Sequence, residues 1–88
     1  MKTIWKFTLE PNCTLDMPVG AEILTVQEQY GHPQMWALVD PYADTEEREF
    51  NSYGTGQDVP DSPGVHVGSF QSRLNGAFYV FHVFEVPK

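Results

Sequence analysis

The run AFYVFHVFEV, residues 77–86, is apolar at nearly every position. Ala77, Tyr79, Phe81 and Val83 alternate with Phe78, Val80, His82, Phe84 and Val86. Aromatic and β-branched side chains favour a pleated strand. A strand apolar on both faces has to be covered on both, by a barrel, a sandwich or a subunit interface. Just before it stands Asn75-Gly76, the strongest short signal for a β-hairpin, because such a pair accepts the positive φ angles of a tight turn. GVHVGSFQS, residues 64–72, then supplies the first arm. Gly68 inside that arm marks a bulge or a close approach of backbone.

The rest of the chain reads the same way. In TIWKFTL, residues 3–9, Trp5, Phe7 and Leu9 fall on one face and Ile4, Lys6 and Thr8 on the other, a period of two. Lys2 and Lys6 suit an edge strand. Pro11-Asn12 and Pro18 with Gly20 are turn signals, and Thr14–Met17 between them is a possible short strand. Residues 21–31 read as a strand rather than a helix on Thr25, Val26 and the early Gly31. Gly31-His32-Pro33 then connects tightly to QMWALVD, residues 34–40, which is apolar on both faces and therefore central. Asp40-Pro41 closes that strand. Residues 47–53 alternate and are placed as a hairpin partner of 34–40. The expectation is one all-β domain over 1–88, a small antiparallel barrel or sandwich of five to six short strands, with little or no helix.

Charge narrows the partners. Twelve acidic residues against five basic ones leave a formal charge of −7. Phosphate backbones and anionic membranes are held by Lys and Arg, so direct nucleic-acid binding and a membrane surface are both set aside. The charge supports solubility, or a surface that meets a basic partner. The acid-rich stretch Asp44, Glu46, Glu47 and Glu49 is the candidate for that surface, with a solvated turn as the plainer reading. The single cysteine, Cys13, forms no internal disulfide. MKTIWKF lacks the apolar core of a signal peptide, and the cytoplasm is the expected compartment.

No catalytic constellation emerges. SYGTGQDVPDSPG, residues 52–64, contains a G-x-G, yet no Lys and no helical pattern follow it. It reads as a strand end followed by an Asp- and Pro-rich crossover. Tyr53, Gly54, Thr55 and Gly56 remain the first candidates for binding, with Trp36 and Tyr42 available to stack on a ring and Arg48 to meet a phosphate. Counting pairs outward from Asn75-Gly76 sets His82 opposite Ser69 and His66 opposite Glu85, a register that a bulge at Gly68 would shift. These histidines are read as structural, with no metal site and no cofactor.

The segments MKTIWKF, DMPVGAEILTVQ, MWALVDP, YGTG, GVHVGSF and YVFHVFEV cover nearly the whole chain. In this order and spacing they resemble a small family of uncharacterised proteins of tailed bacteriophages and prophages. The resemblance implies an accessory protein of a bacterial cytoplasm. It carries no assigned activity and no catalytic motif to transfer. The expected function is a non-enzymatic binding protein that inhibits a host factor by direct contact. The alternatives are an oligomeric module that sequesters a small molecule or nucleotide, and a phage structural component. A homodimer or higher oligomer suits all three, because residues 77–86 present more apolar surface than so small a chain covers alone.

Overall fold

A computed structural model describes residues 1–88. Seven strands form: β1 (Thr3–Thr8), β2 (Asn12–Pro18), β3 (Glu22–Gln29), β4 (His32–Val39), β5 (Thr45–Gly54), β6 (Val65–Leu74) and β7 (Ala77–Glu85). They make a three-stranded sheet in the order β1-β4-β3 and a four-stranded sheet in the order β2-β5-β7-β6, with every pairing antiparallel. The all-β reading holds, as an open sandwich rather than a closed barrel. The strand count rises to seven because the Thr14–Met17 stretch extends to a full strand against β5.

Alternation decides what lies between the sheets. Met35, Ala37, Val39 and Val26 of the smaller sheet meet Met17, Phe50, Phe70 and Val83 of the larger one in a single core. β4 is central in its sheet, as its sequence implies. Its other face, with Trp36 and Leu38, is only half-buried, because no third layer covers it. Both hairpins close through paired positive-φ residues, Tyr30-Gly31 (φ 54° and 81°) and Asn75-Gly76 (φ 50° and 81°).

Two expectations need correction. β5 does not pair with β4; it lies in the other sheet between β2 and β7, because the Asp40–Asp44 turn carries the chain across the sandwich. There Asp40 accepts from the Tyr42 N–H through its side chain and from the Ala43 N–H through its carbonyl. His66 stands opposite Phe84 rather than Glu85, because the ladder slips between His66 and Gly68. Beyond that bulge the count from the turn holds, and Ser69 faces His82. Residues 77–86 are covered only in part by their own chain. Val83 is buried, but Phe78, Tyr79 and Val80 are exposed, because β5 ends opposite Phe81 and the β6–β7 hairpin runs on past it.

Gly68 also makes a close approach. A Cβ there would stand 2.8 Å from Val26 Cγ2, so glycine lets β6 lie against β3.

Candidate functional site

Antiparallel partners point their side chains to the same face. The register therefore places Asp16, Thr14, Glu47, Glu49 and Tyr53 on the outer face of the larger sheet, together with His82, Phe84, His66 and Ser69. This face has two halves. On β2 and β5, Asp16 stands directly opposite Glu47, and Glu49 follows along the strand. Lys88, which lies beside Glu47 and Glu49, gives its ammonium to Glu46 at 2.8 Å. That hydrogen bond holds the Glu46 carboxyl below its ordinary range. Asp44 sits apart in the turn, where its carbonyl accepts from the Val19 N–H.

The other half is aromatic and hydroxylic. Tyr53 meets Phe84 edge-on at 6.0 Å, and His66 meets Phe84 edge-on at 5.3 Å. A chain of hydrogen bonds runs across three strand ends. Thr55 Oγ1 donates to the Val80 carbonyl at 3.3 Å, which leaves it to accept from His82 Nε2 at 2.9 Å. His82 Nδ1 then accepts from Ser69 Oγ at 2.8 Å, and Ser69 accepts from His66 Nε2 at 3.0 Å. In this arrangement each of the two hydroxyls both donates and accepts. Ser69 beside His82 has the contact of a nucleophile and base, and it lies on the open outer face of the larger sheet. No three His, Cys, Asp or Glu side chains converge to hold a metal ion. The Ser69–His82 pairing was legible from the turn. Phe84 and the Thr55 contact were not, because they depend on where β5 ends.

The remaining candidates scatter. Tyr53 and Gly54 end β5, and Thr55 and Gly56 form the turn beyond, where Gly54 N–H donates to Gln57 Oε1 at 2.9 Å. Trp36 lies on the outer face of the other sheet, beside Ile4 and Leu24. Tyr42 stands free in its turn. Arg48 points between the sheets. Its Nε and Nη2 donate to both Glu85 carboxylate oxygens at 2.5 and 2.7 Å, and Nη1 donates to the Ala21 carbonyl at 2.6 Å. The Glu85 hydrogen bonds raise its pKa further, and each of the three guanidinium nitrogens is engaged.

That ion pair seals one end of the sandwich. The other end is open, with a cavity of about 600 Å³ between the sheets. Phe70 stacked on Phe81 at 5.4 Å lines it with Leu9, Tyr53, Ser72 and Glu10, and no Lys or Arg reaches it.

Fold and site together define a small two-sheet antiparallel β-sandwich, with an open mouth and a sheet face divided between acid and aromatic halves. The chain belongs to the DUF7352 family, a domain of unknown function, whose model matches residues 1–88. Comparisons with curated proteins and with solved structures find no match. No helix is long and apolar enough to cross a membrane.

Proposed function

We propose that the chain is a non-enzymatic binding module that docks on a basic protein surface. Its biological setting, on the resemblance of its segments, is that of a tailed-phage or prophage accessory protein meeting a host factor in the bacterial cytoplasm. One observation carries the reading: Asp16 is held opposite Glu47, with Glu49 beside them, on an exposed face. Like charges directly opposed across a ladder destabilise a sheet. A basic partner relieves that cost on binding. The adjacent Tyr53 and Phe84 supply the aromatic area that anchors an interface.

The test is affinity capture from bacterial lysate at low and high salt, with wild-type chain and with Glu47→Lys/Glu49→Lys. The expected outcome is a retained protein whose binding falls with salt and is lost on charge reversal. Capture indifferent to both defeats the reading.

The cavity favours a second reading, a small-molecule module. Without a lining Lys or Arg, and with Arg48 committed to Glu85, the ligand it suits is an uncharged flat ring rather than a nucleotide. Indole should shift the backbone resonances of Leu9, Phe70 and Phe81, and the anion indole-3-acetate should not. Equal shifts from both, or none, reject it.

A further inference from the structure

The β6–β7 hairpin projects as an arm. Past the end of β5, the pairs from Gln71↔Val80 to Leu74↔Ala77 have no strand beyond β7, and on their inner face only Ser72 is buried, donating to Glu28 of β3 at 3.0 Å. Leu74, Phe78, Tyr79 and Val80 are all exposed there, Phe78 at 64%. The backbone is open as well. Val80 C=O accepts from Thr55 N–H, so by the alternation of an antiparallel ladder the N–H and C=O of Phe78 point to the same side, where β5 has already ended.

The arm is also where this acidic chain is least acidic. Residues 62–84 contain no Asp or Glu. Arg73 is the only Lys or Arg in that stretch, and its guanidinium lies 5.5 Å over the Phe78 ring. All twelve acids lie elsewhere in the sequence, and Glu28 of β3 reaches the arm on its inner face, where it accepts from Ser72.

From these observations we infer that the arm is a homodimerisation element, and that its occupant is the arm of a second copy, laid alongside it antiparallel through the open edge at Phe78. Area supports this. The chain exposes 5883 Å², about 650 Å² more than the ~5,200 Å² expected of a folded monomer of its mass. A stable dimer buries about 800 Å² per partner, the same scale as the excess. Charge permits a copy at this place. Two chains of −7 repel wherever their acids meet, and the Phe78 edge of the arm lies in a stretch without carboxylates. The 42 Å long axis leaves the acid-bearing bodies room to lie apart. A strand edge paired with itself is two-fold symmetric and closes, so the assembly stops at two.

This surface differs from the acidic one assigned to a basic partner, and salt separates the two. Salt screens repulsion between the bodies and tightens the dimer, whereas it loosens acidic-face docking. The experiment is sedimentation equilibrium of the full chain across the micromolar range, at low and high salt, with Phe78→Asp and Arg73→Glu. The wild type is expected to be a dimer that tightens with salt. Phe78→Asp should weaken it by on the order of 30-fold or more. Arg73→Glu, which sets an acid in the acid-free arm, should weaken it by about 10-fold, a like-charge cost typical of interfaces. Both should keep the wild-type circular dichroism, since both positions are exposed. Should Phe78→Asp fail to fold, Arg73→Glu decides alone. A monomeric wild type overturns the inference, and so does a folded Phe78→Asp or Arg73→Glu chain that dimerises as the wild type does.

Discussion

Replacing Gly68 by alanine sets a methyl group where β6 lies against Val26 of β3. Its Cβ would lie 2.8 Å from Val26 Cγ2 and 3.1 Å from Val26 Cβ. Carbon atoms rest at ~3.5–4.0 Å, so the layers must open by close to 1 Å or Val26 must turn. Turning is restricted. Val26 is buried and β-branched, and rotation about χ1 does not move its Cβ at all. Overpacking of this kind costs ~1–3 kcal/mol, and the stiffness of the neighbour argues for the upper half of that range. A chain of 88 residues has a stability of about 4–13 kcal/mol, so the loss is a large fraction. It should lower the melting temperature by about 4–8 °C for each kcal/mol.

Val26→Ala alone removes two buried methyl groups and should cost ~2–3 kcal/mol. In the double variant the new methyl occupies part of the space left by the old ones. The combined cost should therefore fall short of the sum by ~1–2 kcal/mol. Urea unfolding followed by the fluorescence of Trp5 and Trp36 measures all three variants. Costs that add to within ~0.5 kcal/mol would show that the residues are not in contact, and the packing of β3 on β6 would be wrong.

Three further outcomes follow from the ends of the sandwich. Arg48→Met leaves Glu85 with no cation in a site where the two side chains are 15% and 20% exposed. Breaking a fully buried pair costs ~3–5 kcal/mol, and this partial exposure reduces that to about 2–3, measurable by urea unfolding and partly recovered by adding Glu85→Gln. Gly64→Ala should be the worst single change, above about 3 kcal/mol or without soluble fold, because φ is +108° and its Cβ would run into the Glu85 carbonyl; expression and melting temperature read it. Glu46 has a folded pKa lowered from 4.5 by the Lys88 hydrogen bond, so its contribution is present above that value and is lost as pH falls through the lowered one. Lys88→Met should flatten that part of the acid limb in a series of melting temperatures, and an unchanged limb would remove the pair from the account.

What the amino-acid sequence determined by itself was local. Period-two alternation along 3–9 and short runs apolar on both faces at 34–40 and 77–86 demanded strands, and Asn75-Gly76 demanded a tight turn, since each signal lies within a few residues of the structure it produces. That locality carried the Ser69–His82 register and the bulge at Gly68. Which strands became neighbours was decided only in the tertiary structure. β5 crosses to the second sheet because its Phe50 face completes the core beneath Met17 and Val83, a demand no window of sequence contains. The same crossing took Arg48 out of the candidate binding set and into the sandwich, and it placed Glu47, Glu49 and Tyr53 on one exposed face. It also ended β5 opposite Phe81, and so left Phe78 and Val80 uncovered. A strand apolar on both faces must be covered on both; strand length and sheet order decide whether its own chain does the covering.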